Sequence, residues 1–255
     1  MAGVHPARSD QLRRSNCLHR LPRTGRPVFG DHAKHCAFDL WRDHFVNPET
    51  PHVLGMNGGS SSIKFAVYRM SEPPQRGMYG KVDRIGMRGT LLTFEDLDRH
   101  RHGSRAIGDL DHASAVKFLI DWLDEQISLA SIAAVGHRVV NGGARHKEPE
   151  RVSLELLDEL RRISAFAPEH LPAEIAMIHL FRERVPSLLQ VACFDTAFHR
   201  DMPRVARTLP IPRRFQAQGV ERYGFHGLSY SFLMQELARL GGDEAAGGRV
   251  ILAHL

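Results

Sequence analysis

At 255 residues, with 42% hydrophobic and 25% charged residues, the chain has the make-up of a globular protein with one large domain or two smaller ones. Its net charge of +5 at pH 7 comes from Arg scattered among acids, not from a basic stripe interleaved with aromatics, which argues against a nucleic-acid partner. No apolar run approaches the roughly 20 residues of a membrane helix, no secretory h-region is present, and Cys17, Cys36 and Cys193 give no disulfide framework, so the expected setting is the cytoplasm, away from the membrane.

Residues 1–51 differ from the rest of the chain. They mix Arg, His and Pro and keep no sustained period of 2 or 3.6, so a disordered extension is expected. His32, His35, Cys36 and His44 could be read as metal ligands, but their spacing fits no standard zinc pattern. From Val53 the pattern sharpens into strands over 53–57, 63–70, 77–84 and 90–95, an antiparallel run with short turns. A helix fits 112–128, with Val116, Leu119, Ile120, Leu123 and Ile127 on one face. Ala133 to Val140 reads as a buried strand, and Ser153 caps a helix striped with Leu156, Leu157, Leu160 and Ile163. Pro168 and Pro172 bracket a loop holding Glu169 and His170, and a helix follows over 173–184. Leu189 to Phe194 is a short strand with Asp195 at its carboxyl end, a common place for active residues in α/β folds. A helix over 228–240 and a final strand over 249–255 complete the pattern. A buried strand is a poor place for a domain to finish, so the sequence is expected to be a piece of a longer protein.

The most informative segment is Asn57-Gly-Gly-Ser-Ser-Ser-Ile-Lys64, set between two apolar runs. Two glycines and three hydroxyls make a turn whose backbone can approach an anion, and Lys64 adds a positive charge just past it. The pattern points to a phosphate site. It is not the Walker loop, because the Gly-Lys-Ser/Thr ending and the following helix are both missing. Four further segments put Arg, Asp or His at a strand end or in a Gly/Pro loop. They are Gly136-His-Arg138-Val-Val140-Asn-Gly-Gly143, Ala167-Pro-Glu-His170-Leu-Pro172, Phe194-Asp195-Thr-Ala-Phe-His199, and Arg222-Tyr-Gly-Phe225-His226-Gly227.

Taken together and in this order, the five segments resemble the acetate kinase family over about residues 52–255. The resemblance implies an α/β fold of the ASKHA type (RNase H-like, as in actin and Hsp70): mixed sheets flanked by helices, with a cleft between two domains. Residues 52–198 would form the first, acyl-substrate domain, and residues 199–255 the beginning of a second, nucleotide-binding domain. It also implies reversible, direct in-line transfer of the ATP γ-phosphoryl to acetate, giving acetyl phosphate and ADP, with Mg2+ (or Mn2+) and a homodimeric assembly.

Acetate is ionised at pH 7, so the nucleophile needs no general base; the obstacle is an anion approaching a polyanion. Arg138 suits that task, because its planar fork can hold a carboxylate or phosphoryl oxygen with two bonds. By the resemblance, His170 and His226 donate to equatorial oxygens of the moving phosphoryl, while Val140 and Phe225 line an apolar pocket for the methyl group. Asn57, Ser60, Ser62 and Lys64 contact magnesium-associated phosphate oxygens, and Ser61 serves the turn. Asn57 and Asp195 stand nearest the metal; Asp195 either meets magnesium and its water or orients an arginine. His137 and His199 read as structural.

The chain departs from the family pattern at Glu169, Leu171 and Asn141, where Leu, Asn and His are common. A carboxylate at 169 beside an acetate pocket would repel the substrate unless it faces solvent, so propionate and butyrate stay open as substrates. By the same resemblance the chain stops before the second domain's phosphate loop, so little turnover is expected from this polypeptide by itself. A non-catalytic anion-binding or interaction remnant is the alternative. An actin-like ATPase would share the first hairpin but gives no reason for Arg138, His170 and His226.

Overall fold

The structure, a computed structural model, describes residues 52–253 apart from residue 72. The expectations for residues 1–51, including Cys17 and the His32, His35, Cys36 and His44 set, lie outside the described residues.

Five strands form an antiparallel meander: β1 (His52–Gly58), β2 (Ser62–Arg69), β3 (Gln75–Asp83), β4 (Leu91–Asp96) and β5 (Arg101–Ala106). Helix α1 (His112–Ile127) then carries the chain back so that β6 (Ile132–Val139) runs parallel to β1. A parallel neighbour needs such a crossover, because a tight hairpin reverses direction. The two-residue β7 (Glu150–Arg151), α2 (Leu154–Arg162) and α3 (Leu171–Arg184) lead to β8 (Leu189–Phe194), parallel to β6. The result is one mixed sheet in the order β5-β4-β3-β2-β1-β6-β8-β7.

Strand periodicity sorts the two faces. Leu54 and Met56 of β1, Ile63, Phe65 and Val67 of β2 and Val135 and Val139 of β6 point to one side and are buried. Against them pack the apolar faces of α1, through Val116, Leu119 and Leu123, and of α3, through Met177 and Phe181. A second cluster joins Val139, Val140 and Phe194 to Leu157 and Leu160 of α2 and Ile175 and Ile178 of α3. Each fully buried side chain of this kind contributes roughly 1.5–3 kcal/mol. Helices α1 and α2 are capped as their sequences require: Asp111 accepts from Ser114 N–H at 2.8 Å, and Ser153 from Leu156 N–H at 3.1 Å. The intervening positions, among them Asn57, Lys64 and Arg138, fall on the opposite face of the sheet.

Beyond β8 come a 3-10 turn (Asp195–His199), two short helices, α4 (Arg204–Arg207) and α5 (Arg213–Ala217), and α6 (Gly227–Ala246), which is broken at Gly242. Three expectations are corrected. The predicted strand over 249–255 does not form in its described part, 249–253: it pairs with none of the eight strands, and Ile251 is 94% exposed. An apolar run becomes a strand only beside a partner edge, and among the described residues none stands next to it. Strand β5 was not expected, since Arg101-His-Gly-Ser-Arg-Ala106 has no apolar alternation; as a charged edge strand it needs none. The loop between Pro168 and Pro172 is shorter than expected, because α3 begins at Leu171 and takes Pro172 into its first turn, where a missing N–H costs nothing.

Candidate active site

Because β1, β6 and β8 run parallel, their carboxyl ends lie along one rim of the sheet. Asn57, Arg138 and Asp195 meet there. The Arg138 guanidinium donates to Asp195 Oδ2 from Nε at 3.0 Å and from Nη2 at 2.6 Å, and from Nη1 to Asn57 Oδ1 at 3.1 Å. Asp195 is 1% exposed and the Arg138 side chain 24%. Three of the guanidinium's five N–H bonds are thus used to fix its plane, and the other two remain for an anion. Of the two roles expected for Asp195, orienting an arginine is the one its contacts display.

The start of α6 packs onto this cluster. Leu228 N–H points at Asp195 Oδ1 at 3.4 Å. The approach is so close that a Cβ on Gly227 would stand 1.9 Å from the Asp195 carbonyl oxygen, which is the physical reason for that glycine. His226 caps the helix at φ 57° and ψ 20°, a left-handed conformation that a side-chain-bearing residue holds only at a cost of about 1 kcal/mol or more. The neighbouring Phe225 carbonyl lies 3.0 Å from His199 Nε2, so His199 braces the motif, and the Phe225 side chain stays 41% exposed.

The turn after β1 is held from behind. Gly59 N–H donates to Ser62 O at 2.7 Å, and Ile85 N–H to Ser61 O at 2.9 Å. Ser60 is exposed and Ser62 half-buried. Lys64, also exposed, stands directly opposite Asn57 in the β1–β2 ladder, so both side chains leave the same face. On the other flank Val140 is buried, and its N–H donates to Glu174 Oε2 at 3.1 Å. The carbonyl of His170, the residue that caps α3, accepts from Glu174 N–H at 3.1 Å. Gly143 completes the loop after β6 at φ 62°, where a Cβ would be strained. Glu169 faces solvent.

The fold therefore brings Asn57, Arg138, Asp195 and the His226–Leu228 turn into one cluster. Val140, two residues past Arg138, is tied through Glu174 to the first turn of α3, which His170 caps. Ser60, Ser62, Lys64 and His170 make no side-chain hydrogen bond to the cluster among the described residues. Glu174 itself is not predicted by the sequence. The available signal was its place in the stripe Leu171, Glu174, Ile178, Phe181, where an acid at helical spacing falls on a buried face. Burial pushes its carboxyl up to about 7. His137 is buried, T-stacked on Phe181 and bonded through Nε2 to Gln190 at 2.8 Å, and burial lowers it to about 4, as suits a structural imidazole.

Among the described residues no three His, Cys, Asp or Glu side chains converge as a metal cage. Asn57 Oδ1 and Asp195 Oδ2 already accept from the guanidinium. Such a donor set could hold a hydrated Mg2+ at most through one carboxylate and water, since Mg2+ keeps several waters and needs only one or two carboxylates.

A mixed sheet backed by helices, with an arginine-centred cluster at the ends of its parallel strands, defines an α/β protein of the ASKHA class. The sequence profile of the acetokinase family matches residues 52–255, and the chain belongs to that family. It is 38% identical over 206 residues to an acetate kinase of Rhodopseudomonas palustris, covering 80% of this chain and 52% of that one. It is 36% identical over 209 residues to a propionate kinase of Citrobacter rodentium, covering 80% and 51%. Among solved structures, Porphyromonas gingivalis acetate kinase superposes with a TM-score of 0.67 at 28% identity, over 75% of this chain and 49% of that one. A propionate kinase from Francisella tularensis gives 0.67 at 30% identity, over 74% and 49%. The chain spans about half the length of the relatives it matches.

Proposed function

We propose that the protein takes part in reversible phosphoryl transfer between ATP and acetate, forming acetyl phosphate and ADP, and that residues 52–198 supply the acyl side of the cleft. The observation that carries this reading is the Arg138 guanidinium, fixed by Asp195 and Asn57 at the carboxyl ends of three parallel strands. Family membership supports it.

In this reading the two remaining N–H bonds of Arg138 hold the acetate carboxylate in line with the γ-phosphorus. The attacking oxygen is already ionised, so no side chain removes a proton. Val140 and Phe225 border the methyl group. His170 and His226 donate to equatorial oxygens as charge spreads over the phosphoryl. Asn57, Ser60, Ser62 and Lys64 meet the phosphate oxygens of the nucleotide. Mg2+, when bound, neutralises phosphate charge. Asn57 and Asp195 would stand nearest it, Asp195 through water. Residues 199–255 open a nucleotide-side domain, the assembly is a homodimer, and the protein works in the cytoplasm.

The named propionate kinases among the relatives favour propionate as a second acyl substrate. Trapping the acyl phosphate as its hydroxamate, with acetate, propionate and butyrate in parallel, tests the reading. Acetate is expected to give the highest kcat/KM in a chain spanning the whole length of the relatives. Residues 1–255 alone are expected to turn over at least about 10³-fold more slowly, since losing a single phosphoryl-stabilising arginine costs that much. An equal or higher preference for butyrate, or no hydroxamate from the longer chain, would overturn the assignment.

A further inference from the structure

Glu174 is a fully buried ionisable group that the proposed reaction does not use. It sits among Val140, Leu171, Ile175 and Ile178, where an apolar side chain would pack at lower cost. What it does there is specific. Oε2 accepts from Val140 N–H at 3.1 Å, two residues past Arg138. Its own N–H makes the ordinary backbone bond of the first helical turn to the carbonyl of His170. Oε1 is buried and has no partner among the described residues. The side chain thus ties the end of β6, which carries the anion-holding guanidinium and the apolar wall, to the first turn of α3, the helix that His170 caps.

We propose that Glu174 is a positioning residue of the acyl site, holding Val140 and the end of β6 against α3 and admitting the substrate carboxylate more readily when its own carboxyl is neutral. This rests on the acyl-site reading above. The charged groups that act on it from the elements around it are Arg138 on β6 and Asp195 after β8. Burial raises its carboxyl to about 7; Arg138 pulls it down and Asp195 pushes it up, and burial outweighs both. An ionised Glu174 therefore adds a negative charge beside a site that must receive an anion. In a half-desolvated site such a charge weakens binding by about threefold or more, on the order expected from Coulomb's law at an effective dielectric near 20.

The test is an NMR titration of acetate into the 15N-labelled protein at pH 6 and pH 8, read at the Arg138 and Val140 amides. The wild type is expected to bind at least about threefold more weakly at pH 8 than at pH 6. Glu174→Gln, which keeps an oxygen for Val140 N–H and cannot ionise, is expected to bind equally at both pH values, with the wild-type affinity of pH 6. Glu174→Leu, which cannot accept that bond, is expected to bind more weakly at both. If wild type and Glu174→Gln show the same pH dependence, or neither shows any, the role of Glu174 is overturned while the acyl site stands. If acetate moves neither amide in the wild type, the acyl site falls and this proposal with it.

Discussion

Arg138 Nη2 stands 2.6 Å from Asp195 Oδ2, and the two residues lie 57 positions apart, at the ends of parallel strands that the helices hold side by side. The pair couples stability to the site. Arg138→Ala would leave a carboxylate that is 1% exposed without its counter-charge. We expect a loss of about 3–5 kcal/mol, read as a lower urea midpoint with an unchanged slope. Replacing both partners by neutral residues is expected to recover part of that loss and none of the anion binding.

Two buried groups tilt the pH dependence in opposite senses. Glu174 is raised to about 7 from 4.5, so the folded state holds its proton longer than the unfolded chain; the stability it gives is full below about pH 4.5 and is lost as pH rises through 7. His137 is lowered to about 4 from 6.5, so its neutral form is the folded one, and stability is lost as pH falls from about 6.5 towards 4. Removing one unmasks the other. Relative to wild type, Glu174→Gln is expected to gain on the order of 3 kcal/mol between pH 5 and pH 8, by urea unfolding at each pH. A constant difference across that range would contradict the burial argument.

Gly227 is required by the closeness of α6 to the strand end. Gly227→Ala forces a Cβ to within 1.9 Å of the Asp195 carbonyl, so the helix start must move. A loss of about 2 kcal/mol or more is expected, with weaker anion binding. Gly248→Ala, whose Cβ would meet only ordinary contacts at 3.6 Å, is the matched control and is expected to leave the thermal midpoint unchanged.

In the proposed acyl site, Val140 sets the size of the apolar wall. Val140→Ala removes two methyl groups from a side chain that is 4% exposed. The space is expected to move the propionate-to-acetate preference towards propionate by about tenfold, the worth of one methylene in an apolar pocket. The ratio of the two dissociation constants checks it, and an unchanged ratio would place the methyl pocket elsewhere.

The sequence made some of this legible and hid the rest for physical reasons. Strands β1, β2, β3, β4, β6 and β8 and helices α1, α2 and α3 could be read because each buries apolar side chains, and burial writes a period of 2 or 3.6 into the chain; α6 carried a helical apolar pattern too, although Phe232, Leu233 and Leu240 stay exposed. Strand β5 and the two-residue β7 bury almost nothing and left no such mark. The apolar run after Arg249 carried the mark without a partner edge to answer it. At the site, Asn57, Arg138 and Asp195 were legible as polar groups at the ends of apolar runs. That they bond to one another was not, since it depends on β1, β6 and β8 being neighbours. Glu174 was overlooked because charge at a helical position is ordinarily solvated, and only packing shows that this one is not.

In the proposed mechanism, a guanidinium fixed in plane by Asp195 and Asn57 holds the acyl anion. Calorimetric titration of acetyl phosphate into wild type and Arg138→Lys isolates that feature, because lysine keeps the charge beside Asp195 but cannot form the planar fork. Binding to the wild type is expected, with a loss of about tenfold or more in the lysine variant. Equal affinity in the two proteins, both folded by their thermal midpoints, would show that the planar fork plays no part in holding the anion.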